Sequence, residues 1–411
     1  MVKVTSSKFL ISNIIFLLIA VLPISLLVGS LIINTLTFLI AFFFIFEILI
    51  KKKIDFLYDW SCFLLVFLWI SFLINLFFSQ NASLGLLRSI GFIKFIFFVQ
   101  AIKYIFLFKE IGYKKLILKF WLVIFIIVSF DILIEYSTGQ NILGFKSDLP
   151  GRLGSFLGYE YKIGAFYFGF AILSFSTIYT YFTKDYKIVF LSVILLLIVS
   201  FFVGERSNFL KILICFTIIL TLFFNKYLKQ VIFFIILCLI IFGSIIYKNE
   251  NLKYRYLAQW NIKNINENNY ILHYKTAIFV FQKFPVFGSG IKNFRIEVKN
   301  VIEENYKNDQ KYNNVRILTT HPHQINFEIL SETGIFGYLC FLIFFVLSFK
   351  KAFRELIKEK NIFLMSSSIY CLIYINPVLP SGSFFTTYGA TIFWTIYAIM
   401  ITDIKSNKKV Y

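Results

Sequence analysis

Residues 316–337 read RILTTHPHQINFEILSETGIFG and hold two of the chain's three histidines. Pro322 separates His321 from His323 and bars a helix from running back through them. His323 therefore falls at the start of the apolar run that follows. A helix N-terminus carries partial positive charge and free N–H groups, which favour bound anions such as pyrophosphate. The same charge disfavours imidazolium, so a neutral imidazole there can take a proton from a hydroxyl. Gln324, Glu328 and Ser331 follow at i, i+4 and i+7 and share one helix face, with Glu332 flanking it. A polar stripe of this kind is costly in a membrane unless it faces protein or water. Gly334 and Gly337, one turn apart, predict the close approach of another helix. The plainer alternative for His323 is a capping or interfacial side chain.

Cations at four other places have the types that hold phosphate. Arg206 lies in Gly204-Glu205-Arg206-Ser207, a very short turn between two apolar runs. Its planar fork suits bidentate phosphate binding, against the alternatives of a pair with Glu205 or snorkelling. Arg152 lies between Gly151 and Gly154, which permit close backbone approach to a ligand; a solvated loop charge is the alternative. Arg88 begins another apolar run and either joins a cationic cluster or snorkels. The stretch Phe284–Arg295 contains Pro285 and Gly288-Ser289-Gly290. It lacks the strand and third glycine of a dinucleotide fingerprint and predicts a tight turn presenting Lys292 and Arg295. No Asp-x-Asp pair stands out, and the five cysteines sit inside apolar runs without a Cys-x-x-Cys pair. No metal, other cofactor or disulfide framework is expected.

The elements that must position these groups are membrane helices. The 411 residues are 59% hydrophobic and 15% charged, with 55 phenylalanines and mean hydropathy +0.80, which excludes an ordinary soluble domain. Runs of about 20 apolar residues predict about twelve spans: near 10–28, 31–50, 61–79, 86–108, 116–136, 163–182, 188–203, 208–224, 231–247, 324–346, 361–377 and 387–402. The formal charge of +20 does not point to nucleic acid, because Lys and Arg fall in short clusters between these runs. Lys51–Lys53, Lys114–Lys119 and Lys350–Lys360 share one side, which predicts cytoplasmic termini and contact with anionic lipid. The chain thus divides into 1–247 with nine spans, a long outer segment at 248–323, and 324–411 with three spans and a cytoplasmic tail. Residues 271–284 in the outer segment carry a helical apolar pattern. No internal repeat is visible, which disfavours common transporter architectures.

These pieces, in this order, resemble the O-antigen ligase and O-antigen polymerase superfamily. The ligase signature is His, then Asn, Ser or Gln, nine residues, Gly, two residues and Gly. It is met by His323-Gln324, Ile325 to Thr333, Gly334 and Gly337. His321-Pro322, the Pro285…Gly288-x-Gly290 stretch, Arg152 and Arg206 agree in kind and order. The resemblance covers about 85–402. It implies an all-helical bacterial inner-membrane glycosyltransferase that is metal-independent and inverting, with its site on the periplasmic side. The implied donor is a glycan on undecaprenyl pyrophosphate. The implied acceptor is lipid A–core for a ligase, or a growing glycan for a polymerase; a flippase or transporter is the reading outside enzymes. His323 is the implied base and Arg206 the implied pyrophosphate clamp, with Arg152, His321, Arg316, Arg88, Lys292 and Arg295 as further substrate-binding candidates. One departure stands out. Where the family places an arginine before the Pro…Gly-x-Gly stretch, this chain has Tyr270, His273 and Lys275. Either His273 or Lys275 substitutes, or Arg255 or Arg316 reaches in.

Overall fold

The computed structural model describes residues 2–108, 112–160, 162–257, 268–305 and 318–404, and its regular elements there are all helical. They are α1 (Val2–Ala20), α2 (Leu22–Val28), α3 (Ser30–Ile50), α4 (Trp60–Phe77), α5 (Ala82–Gly91), α6 (Ile93–Leu107), α7 (Tyr113–Thr138), α8 (Ile163–Tyr181) and α9 (Tyr186–Phe202). They continue with α10 (Arg206–Phe223), α11 (Leu228–Lys248), α12 (Glu250–Leu257), α13 (Asn269–Lys283), α14 (Phe294–Asn305), α15 (Ile325–Lys358), α16 (Ile362–Tyr374) and α17 (Thr387–Thr402).

Eight runs are long and apolar enough to cross a membrane: α3, α4, α5 with α6, α7, α8, α10, α11 with its leading turn, and α15. The α1–α2 pair, bent by 48°, makes a ninth if it counts as one span. Pro23 explains the bend, since it removes a donor from the ladder and crowds the preceding turn. The shorter apolar helices α9, α16 and α17 fall on the other three stretches expected to span. Side chains confirm which solvent the outer surface suits. Phe38, Phe42 and Phe46 form one row along α3 and are 57%, 51% and 47% exposed. Such a row would be an aggregation site in water and has no solvation cost in lipid.

The interior is centred on α17, where every residue from Ala390 to Thr402 is buried. Trp394 meets Phe92, Phe344 and Phe384 edge-on at 5.4, 5.9 and 5.8 Å between ring centres, the favoured aromatic geometry. The two ends of the bundle differ. One end joins helices through buried pairs, Lys103–Asp59 at 2.6 Å and Lys51–Glu47 with Ser12. At the other end α4, α7 and α9 finish, α8, α10, α15 and α17 begin, and α12 to α14 are added. There α13 falls on the stretch whose pattern predicted a helix. Its Leu272, Ala277 and Val280 pack on Phe294, Val298 and Ile302 of α14 as a small second core.

Candidate active site

The start of α15 is tied to the loop between α16 and α17. Gln324 caps the helix: its side-chain oxygen accepts from the Phe327 N–H at 3.0 Å, and its Nε2 donates to the Asn376 carbonyl at 2.7 Å. Asn326 Nδ2 donates to the Ile375 carbonyl at 2.8 Å. Ser381 takes both neighbouring groups, its N–H donating to the His323 carbonyl at 2.8 Å and its Oγ accepting from the Ile325 N–H at 3.0 Å. One turn on, Glu328 accepts from Ser383 Oγ and from the Phe384 N–H, the latter at 2.7 Å. The polar stripe thus faces protein, as its cost in lipid requires. These bonds hold His323 at φ +55°, a left-handed conformation that a non-glycine residue keeps only when its surroundings fix it.

Gly334 and Gly337 do something other than admit a second helix. Gly334 has φ +64° and ψ −170°, so α15 is broken there. The loop Pro285–Gly290 lies in the break. Ile335 and Phe336 donate to the carbonyls of Pro285 and Val286 at 2.9 and 3.1 Å, while Ser289 and Gly290 donate to those of Ser331 and Glu332 at 3.0 and 2.9 Å. A side chain on Gly288 or Gly334 would collide with the opposite backbone, whereas a Cβ on Gly337 meets only Thr333 of its own helix. Asn75 of α4 closes the junction: its Nδ2 donates to the carbonyls of Phe287 (2.5 Å) and Glu332 (3.0 Å), and its Oδ1 accepts from the Ile291 N–H (3.1 Å).

The histidines meet at the start of α15. The ring centre of His323 lies 4.4 Å from that of His321 and 5.2 Å from that of His273, with Tyr270 at 6.2 Å. Burial first, then the neighbouring His321, lowers the pKa of His323 to about 4. Burial, then Lys292, His273 and Arg295, lowers that of His321 to about 4. Both are neutral at pH 7, and the ring nitrogens of His323 carry no hydrogen bond among the described residues. Among those residues no three His, Cys, Asp or Glu side chains are arranged to hold a metal ion.

The cations divide between two flanks. On one, Arg152 Nη2 pairs with Glu205 at 2.8 Å, and Asn208 also donates to Glu205. The ion pair expected as one alternative for Arg206 therefore falls to Arg152. Arg206, half-buried at the first position of α10, makes no ion pair among the described residues. Arg255 of α12 donates from Nε to the Gly204 carbonyl at 2.8 Å. Burial, then Arg206 and then Arg152, lowers its pKa, so three guanidinium groups share one field. Tyr270, at 6.2 Å between ring centres, is the aromatic neighbour of His323. Of the alternatives for the missing family arginine, His273 lies beside His323, and Arg255 lies beside Gly204, Arg206 and Arg152. Arg316 lies outside the described residues. On the other flank, Lys292 is not simply presented by a turn. It is buried at φ +66°, with Nζ 2.9 Å from Ser383 Oγ and 3.9 Å from Glu328. Arg295 is exposed, and Arg88, exposed on α5, donates to Thr387 Oγ1 at 3.1 Å.

Sequence reasoning missed Asn75, Ser381 and Ser383. The signal for the serines was present in Asn376-Pro377-Val378-Leu379-Pro380-Ser381-Gly382-Ser383, a polar loop between two apolar runs. Asn75 had none beyond being an amide inside a span.

Fold and site together define a helical protein with several spans apolar enough for a membrane, which carries a cluster of arginines at the start of α10 and a neutral imidazole at the start of α15. Residues 191–342 match the family model described as O-antigen ligase, which supports the resemblance to the O-antigen ligase/polymerase superfamily over that stretch. No curated protein matches the chain. The match includes Arg206, Arg255 and His323, while Asn75, Arg152, Ser381 and Ser383 lie outside it.

Proposed function

We propose that the protein transfers a glycan from undecaprenyl pyrophosphate to lipid A–core, as an O-antigen ligase. In this reading the chain crosses a bacterial inner membrane twelve times with both termini in the cytoplasm, and 248–323 lies in the periplasm. Arg206 and Arg255 neutralise the pyrophosphate as it departs, with Arg152 held beside them by its pair with Glu205; this is the larger part of the catalysis because charge develops there. An acceptor sugar hydroxyl gives its proton to the neutral ring of His323, and its oxygen attacks the anomeric carbon. The bond from that carbon to the pyrophosphate oxygen breaks, and undecaprenyl pyrophosphate leaves with the electron pair. One displacement inverts the anomeric centre, and no metal or other cofactor enters the step. Lys292 holds Glu328 and the 381–384 loop in place, and the charges of Arg295 and Lys292 help keep His321 neutral.

The observation that carries this reading is the neutral His323 ring, without a hydrogen bond among the described residues, on a chain that also sets Arg206 beside Arg255 and Arg152 at the start of α10. Glycolipid electrophoresis on cells that depend on this gene tests it. His323→Ala and Arg206→Ala should each leave bare core and accumulated lipid-linked polymer, with normal protein levels in the membrane. Core bearing a single repeat would assign the same site to a polymerase. Normal capped glycolipid in both variants would refute the site.

A further inference from the structure

A cavity of about 470 Å³ opens beside the arginine flank, between the end of α7, the 147–153 loop, the end of α9 and the start of α12. Nothing in the transfer step uses it. Its walls combine an aromatic pair with amides and hydroxyls. Tyr136 and Phe202 stack at 4.0 Å between ring centres, Asn249 Nδ2 donates to Tyr136 Oη at 3.2 Å, and Asn251, Ser137 and Ser147 complete the polar lining. The two charged residues on the wall are already matched. Glu135 accepts from the N–H groups of Gly154 and Ser155 at 3.2 and 2.6 Å, and Arg152 faces Glu205. An anion would therefore find no uncommitted charge, and a lipid tail would strand the amides. A neutral, polyhydroxylated ligand with apolar ring faces satisfies both kinds of wall. The volume falls in the lower part of the ~300–1,000 Å³ range of small-molecule sites, enough for part of an oligosaccharide and not for a polymer.

Arg152 belongs both to this cavity and to the arginine flank, so the two are contiguous. Resting on the glycan-transfer reading, we propose that the cavity is a subsite for donor sugars beyond the one joined to pyrophosphate. It would then set which donor glycans are accepted, while the arginines hold the part that all donors share.

Two donors test this: the lipid-linked repeat-unit oligosaccharide extracted from producing cells, and the same material trimmed to a single sugar. Asn251→Trp fills the cavity from α12 and Ser137→Tyr fills it from α7; both positions are exposed, so the fold should tolerate them. Each should raise the KM for the oligosaccharide donor by about tenfold, the loss of a few sugar contacts, and leave the trimmed donor's kcat and KM unchanged. Equal effects on both donors, or none on either, would overturn the subsite. Wild-type protein that transfers neither donor would overturn glycan transfer itself, and the subsite with it.

Discussion

At the scale of single residues, the chemistry depends on keeping imidazole neutral where cations gather. His323 achieves this by burial and by its neighbour His321, and its proton affinity is shifted accordingly. If it is the base, kcat/KM should stay level from about pH 8 down to about pH 5.5 and fall only as pH approaches about 4. An acid limb centred near the ordinary histidine value of about 6.5 would show that the essential base lies elsewhere. Glu328 has a structural part to play beside it. Removing its carboxylate takes from the buried Lys292 the acid that lies 3.9 Å from its Nζ. Glu328→Ala should cost about 3–5 kcal/mol, read as a lowered unfolding temperature in detergent, and Glu328→Gln less. His323, Arg206 and Arg152 were legible from residue type and spacing. The partner of Arg152 was not, because Glu205 adjoins Arg206 in sequence and lies 53 residues from Arg152, and only the packing of the 147–153 loop against the start of α10 decides between them.

At the scale of elements, two glycine motifs that lie far apart in sequence form one junction. The break at Gly334 exposes carbonyls and N–H groups that the Pro285–Gly290 loop satisfies, while Asn75 and Gln80 bond the loop from the other side. Gly334→Ala should therefore destabilise strongly. The left-handed conformation alone costs about 1–2 kcal/mol, and the new methyl also pushes on Val286 and Gly288. Gly337→Ala must push the Thr333 side chain aside, but it meets no backbone of the Pro285–Gly290 loop and has no positive φ, so it should cost less in the same thermal unfolding assay. Equal costs would mean that the break is not held by the loop. The sequence pattern placed a helix over this stretch and expected its glycines to seat another helix. Periodicity could not reveal the break, because the apolar repeat resumes beyond it in nearly the same phase. Asn75 was hidden for a related reason: its three bonds reach residues more than two hundred positions away.

At the scale of the whole molecule, apolar periodicity made the membrane architecture legible, since lipid admits little besides helices. The short α9 and α17 fall on the predicted runs 188–203 and 387–402, whereas α16 ends at Tyr374, short of the predicted 377, where the Asn376-Pro377 loop begins. The charge clusters give the bundle a direction that labelling can check. A cysteine at Lys146, beside the Arg152 loop, should react with a membrane-impermeant maleimide in intact cells, and one at Lys184 should react only after lysis. The native cysteines are all buried and should stay silent. The reverse labelling pattern would put the site on the wrong face for a periplasmic acceptor. The most direct test separates donor capture from transfer in purified protein. Binding of the lipid-linked donor and its single-turnover transfer to lipid A–core would be followed for wild type, Arg206→Ala and His323→Ala. His323→Ala should bind donor as wild type does and transfer it at least about 10²-fold more slowly, while Arg206→Ala should lose binding. Transfer by His323→Ala at the wild-type rate, or undiminished binding by Arg206→Ala, would contradict the assignment of base and clamp.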